Sequence, residues 1–369
     1  MRVGIMLRSL NEKFGIGIYT RNILGALLKL NGGHQYILFY NHQGHVGTYG
    51  HDTHVEERVV TAPNKLLWDQ VAVLSAANQA KVDVLFHPKF TVPLRARCKT
   101  VMVLHGASWF THPELYPNKL DLAYVKTVMP LYCRKADAMV ANSKLTTDDF
   151  VDILHVPREK IRTVYPGLNP IFKPIKDPKT LDEAKRRYNL PDRFVLTVSR
   201  YDPRKNFGTL FKAFTKCCDA GHLKLVAVGK DSWKYKRDCR MVELGYEQDV
   251  IFPGYVEQED LPALYALAEA FLFPSVYEEF GIPLLEAMAC GCPVVASNTG
   301  AIPEITDGAA FLADTFDADA MAQGIDKLTN EPDFRQALVE KGLHRAGQFT
   351  WEKTAAETLE TLEQVVLQG

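Results

Sequence analysis

A chain of 369 residues, 47% apolar and 24% charged with a formal net charge of −1, has room for two ordinary domains, each with its own core. That near-neutral balance, without a basic stripe interleaved with aromatics, argues against nucleic acid as a partner. No stretch approaches the about 18 apolar residues of a spanning helix, and seven scattered cysteines read as reduced thiols, so a cytoplasmic location is expected.

The chain opens on an apolar strand, Val3–Leu7, without a signal-peptide pattern. Asn11-Glu12-Lys13-Phe14-Gly15-Ile16-Gly17 follows and leads into a helical pattern over Tyr19–Leu30. Gly15 and Gly17 suit a close approach of backbone to phosphate, although the third glycine of the dinucleotide fingerprint is missing. Strand-like runs recur at Tyr36–Tyr40, Val82–Phe86, Thr100–Leu104 and Ala138–Ala141, with a helical pattern over Leu66–Gln79. His105-Gly106 stands at the carboxyl end of Thr100–Leu104. His42, His45, His51 and His54 are irregularly spaced and read as an exposed segment, not a metal set.

Between Tyr165 and Pro191 six prolines and glycines (Pro166, Gly167, Pro170, Pro174, Pro178, Pro191) read as a linker. A second series of strands then begins: Phe194–Ser199, Lys224–Gly229, Val250–Phe252, Ala270–Phe273 and Pro293–Ala296. Strands alternating with helices predict an α/β protein of two doubly wound, Rossmann-like parallel sheets. The expected domains are residues 1–170 and 190–349, with a last helix over 350–369 returning to the first. Ligands of such sheets bind outside the carboxyl ends of the strands, and two tandem sheets can face each other across a cleft.

The densest motif runs from Phe273-Pro274-Ser275-Val276-Tyr277 through Glu278-Glu279-Phe280-Gly281-Ile282-Pro283 to Glu286-Ala287-Met288-Ala289-Cys290-Gly291. A buried strand ends, two carboxylates follow, and a helix starts near Gly281 with Pro283 in its first turn. The free N–H groups of that turn and the helix dipole form an anion site. Glu286, one turn in, can reach hydroxyls attached to the phosphate, and Glu278 can accept hydrogen bonds from a sugar. A second motif, Ser199-Arg200-Tyr201-Asp202-Pro203-Arg204-Lys205-Asn206, sets cations directly after a strand, where Arg200 and Lys205 can clamp a diphosphate. Read blandly, the first motif is an acidic helix cap and the second a solvated basic loop.

Together these segments resemble the retaining GT-B glycosyltransferases of glycosyltransferase family 4, and the similarity runs almost the whole length, through Tyr255-Val256, Pro303-Glu304 and Phe349-Thr350-Trp351. The resemblance implies a GT-B fold and transfer of a hexose from a nucleotide-diphosphate sugar. Arg200 and Lys205 match the pair that holds the donor diphosphate, Glu286 the ribose ligand, and Glu278 and His105 residues beside the transferred sugar. Gly15, Gly17, Tyr255, Val256, Phe280, Gly281 and Ile282 complete the implied donor site. Two departures stand out: His105-Gly106 replaces a common His-Asp, and Glu279 replaces a glycine.

Transfer through an oxocarbenium-like sugar needs positive charge at the leaving diphosphate. Arg200, Lys205 and the helix N-terminus can supply it, so no metal or other cofactor is expected. The one Asp-x-Asp, Asp317-Ala318-Asp319, reads as a helix N-cap. The expected donor is GDP-mannose or a UDP-hexose, and the acceptor a glycan, lipid-linked or small-molecule hydroxyl. Two other readings stay open, a sugar-nucleotide epimerase of the same architecture and a non-catalytic sugar-nucleotide-binding protein. Residues 1–168 carry a net +7 and the remainder −8. This asymmetry suggests a peripheral contact with an anionic lipid surface, through Arg95, Arg97 and Lys99 first and Arg134-Lys135 second.

Overall fold

In a computed structural model, which describes residues 1–12, 15–30, 32–50, 53–116, 118–199, 202–217, 223–229 and 248–368, the chain divides into two compact units. The first is Met1–Gly167 with Thr350–Gly369, and the second Leu168–Phe349. The first contains β1 (Arg2–Met6), α1 (Ile16–Leu30), β2 (Gln35–Tyr40), β3 (Val55–Val59), α2 (Lys65–Leu67), α3 (Val73–Gln79), β4 (Val84–His87) and β5 (Lys99–Leu104). It continues with α4 (Ser108–Thr111), α5 (Lys119–Lys135), β6 (Ala138–Ala141), α6 (Lys144–Leu154) and β7 (Ile161–Thr163). All seven strands are parallel, in the order β3-β2-β1-β4-β5-β6-β7.

The central strands are apolar at nearly every position because helices cover both faces. Val3, Ile5, Tyr36, Leu38, Val84, Phe86, Val101 and Val103 meet Ile23, Leu24 and Leu27 of α1 on one face. Ala355, Leu359, Leu362 and Val365 of the C-terminal helix, Trp351–Leu367, complete that face. Thr350 starts this helix by accepting the Lys353 N–H at 3.2 Å.

The second unit holds α7 (Pro178–Tyr188), β8 (Phe194–Val198), α8 (Phe207–Lys216), β9 (Lys224–Val228), β10 (Val250–Gly254), α9 (Leu261–Leu267) and β11 (Ala270–Phe273). After these come α10 (Ile282–Ala289), β12 (Val294–Ser297), α11 (Ile302–Thr306), β13 (Ala310–Ala313), α12 (Ala318–Asn330) and α13 (Pro332–Ala346). Its six parallel strands run β10-β9-β8-β11-β12-β13. The strand order therefore reverses between β1 and β4 in one sheet and between β8 and β11 in the other. These switch points are where open parallel sheets bind ligands.

Three expectations need correction. The breaker-rich segment after Tyr165 is not all linker: Asp177 caps α7, with Pro178 at the start, where a missing N–H costs nothing. The helix expected over Leu66–Gln79 contains a π-helical segment, Trp68–Ala72, between α2 and α3. Strands β3, β7 and β13 were not expected from the sequence, and each lies at a sheet edge.

Candidate functional site

In the second unit the two loops at the β8/β11 switch point meet. After β8, Asp202 opens a single 3-10 turn, Pro203–Lys205, by accepting the Arg204 N–H at 3.0 Å. It also holds the Arg204 guanidinium at 3.1 and 2.8 Å, so that cation is already matched. Lys205 is engaged differently. Its ammonium donates to the Glu278 carboxylate and sits 4.9 Å from the centre of the Phe273 ring. Both members of this ion pair are largely buried. The structure thus brings together two residues that are 73 positions apart in sequence. Arg200 lies outside the described residues.

Glu278 is held from both flanks. Ser297, the last residue of β12, and Thr299 beyond it donate to the carbonyls of Ser275 and Val276 at 2.5 and 3.1 Å. The Ala301 N–H reaches the Glu278 carbonyl at 2.9 Å, and the Val276 N–H reaches that of Arg204 at 2.7 Å. Glu279 is absent from the positive-φ residues, so its departure from glycine puts no left-handed strain on the loop. Gly281 does need to be glycine. Its φ is +93°, and a Cβ there would lie 2.9 Å from Leu284 Cδ1. No side chain caps the first turn of α10; Pro283 has no N–H and the Leu284 N–H is bonded to the Gly281 carbonyl at 3.0 Å, so an anion here would meet the positive end of the helix dipole and not a full set of free donors. Phe280 is buried, edge-on to Phe349 with ring centres 6.0 Å apart.

One turn into α10, Glu286 is buried and accepts the Tyr265 hydroxyl at Oε2, 3.0 Å away. Burial pushes its carboxyl up to about 7, against the lowering effect of the Tyr265 bond. Its Oε1 has no protein partner among the described residues. Burial and the neighbouring carboxylate raise the Tyr265 phenol in turn. Past β10, Tyr255 is exposed and Val256 buried.

The first unit presents its own switch-point loops, after β1 and β4. Gly15 has φ +30° and opens α1. At Gly17 a Cβ would fall 1.7 Å from the Glu12 carbonyl oxygen, so no side chain fits. Arg21 clasps the same turn through the Leu10 and Glu12 carbonyls at 2.6 and 3.0 Å, and Lys89 pairs with the Glu12 carboxylate at 2.6 Å. His105 Nε2 lies 2.9 Å from the Pro88 carbonyl, which can only accept, so this nitrogen carries the proton. Burial lowers the His105 pKa to about 4, leaving Nδ1 of a neutral ring as an acceptor.

Sequence reasoning missed a buried network behind these loops. Arg8 grips Asp69 with two bonds of 3.0 Å, Thr91 donates to Asp69 at 3.1 Å, and His87 Nδ1 lies 2.7 Å from the Thr91 carbonyl. Its members come from three separate stretches of chain, and no local pattern announces it. The Asp-x-Asp pair is engaged as expected for a cap: Asp317 accepts the Ala320 N–H at 2.9 Å, while Asp319 pairs with Lys216 at 2.6 Å. Among the described residues no three His, Cys, Asp or Glu side chains gather as a metal site.

Comparison with known proteins agrees with this geometry. The family "Glycosyltransferase Family 4" matches residues 15–171, and "Glycosyl transferases group 1" matches residues 179–345. The chain is 31% identical to the O-antigen chain mannosyltransferase B of Escherichia coli over 75% of this chain and 73% of that one. It is 27% identical to the serotype-specific mannosyltransferase WbdA of Escherichia coli over 71% of this chain, but it spans only 33% of that protein. In fold it is similar to sucrose-phosphate synthase from Thermosynechococcus elongatus, with a TM-score of 0.78, 21% identity and 100% coverage of both chains. The fold is GT-B, and the chain belongs to the group 1, family 4 glycosyltransferases.

Proposed function

We propose that this glycosyltransferase moves mannose from GDP-mannose to a hydroxyl of a glycan acceptor, with retention at the anomeric carbon and without a metal. The observation that carries the reading is the Lys205–Glu278 pair at the switch point, beside the uncapped N-terminus of α10. Mannose is favoured over other hexoses by the names of two similar proteins, O-antigen chain mannosyltransferase B and WbdA. In this reading Lys205, Arg200 and the α10 N-terminus hold the diphosphate, Glu286 Oε1 accepts a ribose hydroxyl, and Glu278 contacts the transferred sugar. His105 Nδ1 is assigned to a hydroxyl of that sugar, and the turn at Gly15 and Gly17 to the phosphates. Tyr255 and Val256 line the nucleotide side.

As the C1–O bond to the diphosphate breaks, negative charge grows on the leaving phosphate, where fixed cations act most strongly. The acceptor oxygen attacks C1 from the same face and its proton passes to a phosphate oxygen, so no protein base is required. A screen of nucleotide sugars tests the donor, since the true one stabilises the fold by mass action. GDP-mannose is expected to raise the melting temperature most, and turnover to persist in excess EDTA. Loss of turnover on chelation, restored by Mg²⁺ or Mn²⁺, would overturn the metal-free assignment.

A peripheral membrane contact is part of the same proposal, with a shift of surface. Arg95 and Arg97 precede β5 and Lys99, paired with Asp137, begins it, while Arg134-Lys135 ends α5 just before β6. In a parallel sheet these positions lie at the edge opposite the ligand-binding one. On α5, in contrast, Leu120, Tyr124 and Leu131 form an exposed apolar stripe, and Lys119 and Lys126 run beside it at helical spacing. Co-sedimentation with phosphatidylserine-containing vesicles is expected at low salt, fading as salt screens the charges. Reversing Lys119 and Lys126 to Glu should abolish it with donor affinity intact. Indifference to such vesicles at low salt would remove the contact.

A further inference from the structure

The same helix has a second face that none of the roles above uses. A cavity of about 290 Å³ is lined by Trp109, Tyr116, Asn118, Asp121, Leu122 and Val125. It lies in the first unit, on the segment that leaves β5 at Leu104 and carries His105, on the ligand-binding edge of the sheet. We propose that this cavity receives one pyranose ring of the acceptor glycan, a role that rests on the glycosyltransferase reading above.

Three features favour a sugar. The walls are aromatic and aliphatic, and an aromatic face suits the C–H-rich face of a pyranose. Trp109 is held for this purpose: Phe90 meets it edge-on at 4.9 Å, and Tyr116 stands 6.0 Å away at a 39° tilt. The Tyr116 hydroxyl is anchored to Ser108 Oγ at 2.5 Å, so the second ring has little freedom either. Rigid aromatic walls bury area at low entropic cost.

The rim is the second feature. Asn118 caps α5 through its oxygen, at 3.1 Å from the Leu120 N–H and 3.3 Å from that of Asp121. Its amide donates one hydrogen to Asp121 Oδ2 at 2.7 Å. An amide has a second hydrogen and a carboxylate a second oxygen, and neither of these has a protein partner among the described residues. A donor and an acceptor side by side at the exposed rim match the hydroxyls of a sugar.

Volume is the third. Small-ligand pockets span roughly 300–1,000 Å³, so 290 Å³ holds a single ring and not a chain segment. The exposed Leu120 and Tyr124 sit on the same stretch of α5, which puts the ring beside the stripe assigned to a lipid surface. A membrane-borne glycan would meet both.

The test uses octyl α-mannoside, which offers a ring and an alkyl chain in one molecule, and saturation-transfer NMR, which needs no donor. Ring protons are expected to receive more saturation than octyl protons in the wild type, and to lose it in Leu122→Trp, which fills the cavity, and in Trp109→Ala, which removes a wall. With a mannose oligosaccharide as acceptor, KM is expected to rise at least tenfold in both variants, while GDP-mannose affinity by calorimetry stays within threefold. Saturation confined to the octyl chain would assign the cavity to lipid and overturn the proposal. So would ring saturation and acceptor KM that ignore both substitutions. Failure of the function reading looks different: GDP-mannose would not bind even to the wild type.

Discussion

Lys205→Ala is expected to lower kcat about 100- to 1,000-fold, the usual result of removing one preorganised group from the site where transition-state charge grows. Donor affinity should fall as well, by about 1.5–3 kcal/mol for a lost charge-assisted contact. The ion pair explains why the loss is larger than one missing cation. With Lys205 gone, the Glu278 carboxylate stays in the same largely buried place without its partner, and it repels an incoming diphosphate. Lys205→Ala/Glu278→Gln should therefore bind the donor better than Lys205→Ala alone, although turnover stays low in both. Circular dichroism should be unchanged, because the loop is held by bonds from Ser297 to Ser275, Thr299 to Val276 and Ala301 to Glu278 that do not involve Lys205. Calorimetry and turnover within threefold of wild type in Lys205→Ala would remove this residue from the donor site.

What the sequence made legible follows from burial. β1, β4, β5, β8 and β11 are interior strands, covered on both faces, and so read as largely apolar runs. The strands that escaped notice are edges. β3 reads Val-Glu-Glu-Arg-Val, β7 is three residues long, and β13 is a short Ala-Phe-Leu-Ala flanked by loops. Each pairs on one side alone, so its sequence is less constrained, and charge along an exposed edge discourages further pairing. The site shows the same division. Gly281 and its helix start could be read because backbone geometry demands glycine at one position and admits proline soon after. Lys205 and Glu278 could each be named from local spacing, but not that they pair. Tyr265 with Glu286, and Pro88 with His105, join residues from separate loops or helices. Which side chains meet is decided by strand order, and no local spacing encodes it.

The Glu286–Tyr265 contact gives the donor site a pH dependence of its own. With its carboxyl pushed up to about 7 by burial, Glu286 is largely protonated below neutrality and cannot serve a ribose as a carboxylate. GDP-mannose affinity is then expected to be constant above pH 8 and to fall as pH drops through 7, approaching about tenfold per pH unit as the ionised fraction shrinks. Stability runs the other way. A carboxyl whose folded pKa lies above its unfolded value adds stability in full below about pH 4.5, and that contribution is lost as pH rises towards 7. Melting temperature and donor affinity should therefore move in opposite directions between pH 5 and 7. Glu286→Gln separates these effects from any titration of the donor. The amide keeps a hydrogen-bond acceptor for Tyr265 but cannot ionise. Its donor affinity should be lower by about 1.5–3 kcal/mol at pH 8 and flat across the range in which wild type varies. Calorimetry from pH 5.5 to 8.5 on both proteins decides the matter: a parallel fall in wild type and Glu286→Gln would place the titrating group elsewhere.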